Sequence, residues 1–150
     1  MTMDRYFDDF EVGERFRSGG ATMTETDIIN YALAYDPQPF HIDAEAAAKS
    51  AYGGLIASGQ HTFGVGWRMF LQEGLFKACS MGSPGVDELR WTAPVRPGDT
   101  IHTEAEVLEK RASGSKPDRG ILRMGYRMVN QRGETVLTMS IVHILEKRPE

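Results

Sequence analysis

The sequence contains a single cysteine, Cys79, among its 150 residues. One cysteine cannot form an internal disulfide, so nothing in the sequence indicates an oxidising compartment. The sequence also lacks an apolar stretch long enough to span a bilayer, and its beginning, MTMDRYFDDFEVGE, lacks the apolar core of a signal peptide. These absences predict a cytoplasmic protein that is not bound to a membrane.

Basic residues are outnumbered by acidic ones. There are 17 Lys and Arg residues against 21 Asp and Glu, which gives a formal net charge of -4 at pH 7. Clustered positive charge drives binding to nucleic acids and anionic lipids, so this balance argues against both as partners. No two histidines lie at the spacing of metal ligands on a helix, and we therefore expect no metal site.

The composition is that of one folded domain. Hydrophobic residues make up 41% of the chain and charged residues 25%, with both signs interspersed. No repeat, low-complexity tract or linker divides the sequence, so we predict a single domain over residues 1–150. Helical spacing of apolar residues gives way to strict alternation after Pro84. This order predicts an α+β fold with an antiparallel sheet of about five strands, including one short strand within residues 14–23.

Three helices are predicted before the long strands. The segment TETDIINYALAY begins with Thr24 as an N-cap, and Asp43 can cap a second helix in AEAAAKS. The third and most apolar helix follows Gly59, and its spacings of three and four extend from Phe63 to Ala78. A single sheet leaves such a helix incompletely covered, so we expect a homodimer.

The segment between the first two helices, YDPQPFHID, combines an acid and an imidazole with two prolines. Pro37 and Pro39 fix their own φ angles and disfavour helical conformation in the preceding residues, which predicts a stiff, extended loop. Such a loop could hold Asp36 and His41 toward one point as an acid–base pair. Alternatively, these side chains only cap helices or make ordinary loop hydrogen bonds.

A second segment of interest, GGLIASGQ, directly precedes the third helix. It would place Gly59 and Gln60 at the helix N-terminus, where free N–H groups can bind an anion or a developing oxyanion. The glycines can equally serve turn geometry alone.

With these residues the chain resembles the MaoC-like dehydratases, a hotdog-fold family that includes (R)-specific enoyl-CoA hydratases. The family's motif, Asp-x-Asn-Pro-x-His, is matched by DPQPFH from Asp36 to His41, with Gln38 in place of Asn. The resemblance implies a sheet wrapped around a long central helix and a dimer with its active site at the subunit interface. It also implies addition or removal of water across a trans-2-enoyl thioester, whose hydrated form is a 3-hydroxyacyl thioester.

The resemblance further implies roles for individual residues. Asp36 and His41 would form the catalytic dyad, and the Gly59 N–H would donate to the thioester carbonyl. No cofactor is implied, because coenzyme A or acyl carrier protein enters as part of the substrate. The candidate substrate-binding residues are Phe40, Ser58, Gln60, Arg90 and Arg96.

Two other functions remain open for such a fold. A thioesterase would cleave the thioester and release a free thiol. A non-catalytic protein would bind an acyl thioester without converting it.

Overall fold

The computed structural model describes residues 3–150; Met1 and Thr2, part of the predicted domain, lie outside the described residues. The helices precede the long strands, which confirms the predicted α+β class. A short 3-10 helix spans Phe7–Asp9, and the α-helices are α1 (Glu25–Tyr35), α2 (Pro39–Ile42), α3 (Ala44–Ala48) and α4 (Gly59–Gln72). The strands are β1 (Arg15–Arg17), β2 (Ala21–Thr22), β3 (Val86–Trp91), β4 (Thr100–Ala112), β5 (Arg119–Val129) and β6 (Thr135–Glu146).

The six strands pair in antiparallel fashion in the order β1-β4-β5-β6-β3, and β2 pairs with the start of β4. One strand more is present than predicted, because the single short strand expected within residues 14–23 is divided into β1 and β2. The alternation along the long strands is confirmed: in β4, Ile101, Thr103, Ala105 and Val107 are buried, and the residues between them are half-exposed. The sheet therefore has one buried face.

Helix α4 packs on this buried face. The hydroxyl of Thr103 donates to the Gly66 carbonyl at 2.8 Å. Gly66 also admits the side chain of Met128, since a Cβ at residue 66 would lie 2.3 Å from the Met128 sulfur. Stacked and edge-on aromatic rings fill the remaining space, namely Trp67, Phe70, Phe76, Tyr126 and His143. This packing fixes the position of α4, and with it the helix N-terminus, relative to the sheet.

The predicted extent of α4 was wrong at its C-terminal end. The apolar spacing continues to Ala78, but the helix ends at Gln72. Gly74 has a φ of +79°, the left-handed conformation that commonly terminates helices. The chain then turns and returns Phe76 to the core, where it is 4% exposed. Apolar residues in a tight turn here imitate helical spacing.

The predicted N-caps of α1 and α3 are confirmed. The Thr24 hydroxyl accepts a hydrogen bond from the Asp27 N–H at 3.2 Å. The Asp43 carboxylate accepts from the N–H groups of Glu45 and Ala46 at 3.0 and 3.1 Å. Both helices therefore begin where the sequence indicates.

The sequence predicted a wholly extended loop between α1 and α3, but only part of this segment is extended. Gln38 is extended, but Pro39 begins the four-residue α2. Proline is well suited to the first position of a helix, because its φ is already fixed and the missing N–H is not needed there. Helix α2 carries His41, so a turn of helix rather than a loop orients the imidazole.

Of the helices within residues 3–150, none combines the length and the hydropathy needed to cross a membrane.

Candidate active site

A cleft of about 570 Å³ lies where α1 ends and α4 begins. Five residues singled out from the sequence line it: Asp36, Phe40, His41, Gly59 and Gln60. The remaining lining residues are Gln38, Tyr52, Ile56, Ala57, Thr62 and the segment 91–95 that follows from the end of β3. The structure thus brings the two segments of interest to one cavity.

Asp36 is held by hydrogen bonds to both carboxylate oxygens. The Ser58 hydroxyl donates to Oδ2 at 2.7 Å, and the Gln38 side-chain amide donates to Oδ1 at 2.7 Å. The bond from Ser58, followed by that from Gln38, lowers the pKa of Asp36, since both stabilise the charged form. Asp36 is therefore a fixed, ionised carboxylate at neutral pH.

His41 is buried, with 4% of its surface exposed. Its Nδ1 lies 2.7 Å from the backbone carbonyl of Ile56. Because a carbonyl only accepts, Nδ1 carries the proton, and Nε2 of the neutral ring carries the free lone pair. Nε2 in turn lies 3.4 Å from Oδ2 of Asp36. Nε2 of His41 and Oδ2 of Asp36 are therefore two neighbouring hydrogen-bond acceptors beside the cleft. One small molecule with two hydrogens can donate a hydrogen bond to each of them.

Gly59 begins α4 at the edge of the cleft. The first bond of the helix runs from the Thr62 N–H to the Ser58 carbonyl at 3.0 Å, so the N–H groups of Gly59 and Gln60 precede the helical ladder. The indole of Trp91 packs directly on Gly59, where a Cβ would lie 2.4 Å from Cε2 of the ring. Any side chain at residue 59 would require this indole to move, and the N–H of Gly59 makes no hydrogen bond within residues 3–150.

Three of the predicted substrate-binding residues do not line the cleft. Ser58 is fully buried and contacts Asp36 instead. Arg96 donates from its guanidinium to backbone carbonyls of the loop 52–54, and so fastens a wall of the cleft. Arg90 is exposed on β3, outside the residues that line the cleft.

The sequence did not predict the roles of Gln38 and Trp91 in this site. For Gln38 a signal existed, because it occupies the position of the motif's Asn and carries the same amide group. For Trp91 there was none: its contact with Gly59 joins residues that are distant in sequence, and its strand shows no period that would mark a site residue.

Two more histidines are buried away from the dyad. Nε2 of His143 lies 2.6 Å from the Tyr126 hydroxyl, and burial lowers the pKa of His143 to about 4. His61 stacks on Tyr31 with ring centroids 4.5 Å apart, and burial lowers its pKa. Within residues 3–150 neither forms an ion pair with a carboxylate, and no group of three His, Cys, Asp or Glu side chains is placed to hold a metal ion.

Comparison with known proteins places this site in a family context. The family model described as "MaoC like domain" matches residues 9–123. The crystal structure of a MaoC-like dehydratase from Rhodospirillum rubrum is 38% identical, with a TM-score of 0.91 over 97% of this chain and 99% of that chain.

Proteins named for their activity are also similar to this chain. An (R)-hydratase from Pseudomonas aeruginosa is 26% identical, with a TM-score of 0.78 over 95% of this chain and 86% of that chain. A 3-hydroxybutyryl-CoA dehydratase from Methylorubrum extorquens is 29% identical in an alignment of 111 residues that covers 69% of this chain and 64% of that protein. The shared architecture, an antiparallel sheet wrapped around a helix, is the hotdog fold.

Proposed function

Because the chain belongs to the MaoC-like dehydratase family, we propose that it adds water across a trans-2-enoyl thioester or removes it from the 3-hydroxyacyl thioester. The observation that carries this proposal is the pair of facing acceptors, His41 Nε2 and Asp36 Oδ2, 3.4 Å apart beside a free helix N-terminus. The similar hydratase and dehydratase support the same chemistry.

Water is the donor that this pair of acceptors suits. A water molecule can direct one hydrogen to Nε2 of His41 and the other to Oδ2 of Asp36, which leaves an oxygen lone pair for the β-carbon of the enoyl group. His41 then acts as the general base and takes one proton as the carbon–oxygen bond forms. Asp36 accepts a hydrogen bond from the second hydrogen of the water, which stays in the product hydroxyl, and its charge stabilises the imidazolium.

The proton that His41 took from water completes the reaction. Attack at the β-carbon moves the electron pair of the double bond toward the thioester oxygen, and Nε2 of His41 returns its proton to the α-carbon. One hydroxyl and one hydrogen are then added, so atoms and charge balance. Because one imidazole serves both carbons, both groups are expected to add to the same face of the substrate.

The start of α4 supplies the complementary charge. Negative charge develops on the thioester oxygen only as water adds, and the N–H of Gly59 is the proposed donor to it. The partial positive charge of the helix N-terminus adds to this interaction. A donor that is fixed before the reaction stabilises the transition state more than the ground state.

Kinetics with trans-2-enoyl-CoA substrates test this function through the loss of the conjugated enoyl absorbance. Asp36→Asn and His41→Ala are each expected to lower kcat/KM by about a thousandfold, within the range for loss of a general acid–base group. Gel filtration and circular dichroism should show unchanged folding. An unaltered rate in either variant contradicts the assignment of the dyad.

A thiol-reactive dye in the same assay separates the alternatives. Hydration consumes the enoyl group and leaves the thioester intact, whereas a thioesterase releases free coenzyme A. Release of thiol without a 3-hydroxyacyl product, or tight binding of enoyl thioesters of several chain lengths without turnover, would contradict the proposed reaction.

The proposed assembly is a homodimer paired along β3. This strand is one edge of the sheet, and it exposes 41% of Val86 and 51% of Trp91. Because Trp91 also lines the cleft, a partner along β3 would complete the site. Sedimentation should give twice the chain mass of 16.7 kDa, and a fully active monomer would contradict this assembly.

A further inference from the structure

We infer that Ser58 is a positioning residue, whose hydroxyl fixes the Asp36 carboxylate toward His41 instead of capping α4. This inference rests on the proposed function for its catalytic consequence, but its structural part can be measured without substrate.

The hydroxyl of Ser58 does not form the hydrogen bond that is usual for a serine at its position. Ser58 is the N-cap residue of α4, where a serine side chain usually accepts a hydrogen bond from an N–H in the first turn. Here the side chain makes no capping bond and donates to Oδ2 of Asp36 at 2.7 Å. This rotamer secures the carboxylate, and it leaves the N–H groups of Gln60 and His61, which an N-cap serine could bind, without a capping bond.

Ser58 binds the oxygen of the Asp36 carboxylate that faces His41. Oδ2 is the same atom that faces Nε2 of His41, whereas Gln38 binds the other oxygen in a more exposed position. Ser58 is 0% exposed, so water cannot replace its hydroxyl without entering the core. Loss of the Ser58 hydroxyl would therefore free the oxygen nearest His41.

Hydrogen bonds rather than cations stabilise the charge on Asp36. Within residues 3–150, the only ionisable partner of Asp36 at ion-pair distance is His41, and no Lys or Arg pairs with it. A carboxylate without a fixed cation depends on its donors to stay ionised. Removal of Ser58 should therefore raise the pKa of Asp36.

The test is Ser58→Ala. In the substrate-free protein, the carboxyl 13C resonance of Asp36 should titrate at a higher pH than in the wild type. With an enoyl thioester, kcat/KM should fall roughly tenfold, the factor expected for one hydrogen bond to a charged group. The acidic limb of its pH profile should also move toward higher pH, because Asp36 works as the carboxylate.

Thr103→Val is the matched control. Thr103 is also 0% exposed, and its hydroxyl donates a hydrogen bond to the Gly66 carbonyl of α4. The control loses a buried hydrogen bond that involves α4 but not Asp36, so it should lower thermal stability while the titration of Asp36 stays unchanged. A second control adds Ser58→Ala to Asp36→Asn, where no further loss of activity is expected if Ser58 acts through Asp36.

The outcomes separate this inference from the proposed reaction. An unchanged titration of Asp36 in Ser58→Ala, or a tenfold loss that persists in the Asp36→Asn background, overturns the role of Ser58 alone. If the wild type does not hydrate any enoyl thioester but the titration moves as expected, the reaction is wrong and the positioning role stands.

Discussion

His41 and His143 are buried to the same degree, with 4% and 5% of their surfaces exposed, but their surroundings differ. His41 donates a hydrogen bond from Nδ1 to a backbone carbonyl and turns Nε2 toward Asp36 and the cleft. His143 uses Nε2 in a 2.6 Å bond with the Tyr126 hydroxyl, under the ring of Trp67. Burial alone thus does not distinguish a candidate base from a core histidine. The group that faces Nε2 does, since it is a carboxylate beside the cleft for His41 and a core hydroxyl for His143.

The two sites treat a proton on the imidazole differently. Nε2 of His41, where the proposed reaction would add a proton, lies 3.4 Å from Oδ2 of the Asp36 carboxylate. A proton on His143 would find no carboxylate at ion-pair distance among residues 3–150, and burial lowers the pKa of His143 to about 4. The first site suits the proposed acceptance and return of a proton, whereas the second favours the neutral ring.

The strongest test of this comparison is His41→Gln. Glutamine keeps a polar side chain but cannot act as a base, so kcat/KM should fall by about a thousandfold. His143→Gln should leave kcat/KM within about threefold of the wild type if its ring takes no part in the reaction. Steady-state kinetics of both variants measure these effects. Equal losses of kcat/KM would show that the two histidines do not differ in the reaction.

The next largest effect is the pH dependence of stability. The pKa of His143 is lower in the folded protein, about 4, than its ordinary value of 6.5, so the unfolded chain binds more protons between these values. The contribution of His143 is complete above pH 6.5 and declines toward pH 4, by on the order of 3 kcal/mol. Urea unfolding across this range should show the decline.

His143→Phe is the control for that measurement, since a phenyl ring has no proton to gain. It should flatten the decline between pH 6.5 and 4, although the buried His61 contributes in the same sense and remains. A profile that is unchanged by His143→Phe would show that other groups carry the pH dependence.

A smaller effect is expected from the partner of His143. Tyr126→Phe leaves Nε2 of His143 without its hydroxyl partner and should lower the free energy of unfolding by about 2 kcal/mol at pH 7. Adding His143→Phe removes the unpaired nitrogen and should recover part of the loss. Chemical denaturation of the two single variants and the double variant measures the coupling, and strictly additive losses would argue against the bond.

The smallest effect should come from Gln38, which steadies Asp36 from the more exposed side. Gln38→Ala is expected to lower kcat about threefold, because one exposed hydrogen bond contributes about 0.5–1 kcal/mol. A loss as large as that of Ser58→Ala would show that the two donors are equivalent. Rate measurements at saturating substrate provide the comparison.

Local patterns predicted much of this molecule. The caps Thr24 and Asp43, the alternation in β4 and the close spacing of Asp36 and His41 are all set within a few residues, so the sequence displays them directly. The end of α4 was missed because a turn with Gly74 in a left-handed conformation carries the same apolar spacing as a helix.

Contacts between distant segments could not be predicted in the same way. The bond from Ser58 to Asp36 depends on how α1 meets α4, and a serine before a helix ordinarily indicates a cap. The contact of Trp91 with Gly59 depends on the placement of β3. Tertiary packing decides both, and a single sequence carries no local sign of it.

The packing of Trp91 on Gly59 restricts how these two positions can vary. An alanine at residue 59 would intrude on the indole, where its Cβ would lie 2.4 Å from Cε2. A smaller side chain at residue 91 would remove the collision but would also strip a wall from the cleft. Replacement of Gly59 alone therefore requires the indole of Trp91 to move, so the shape of the cleft depends on both positions together.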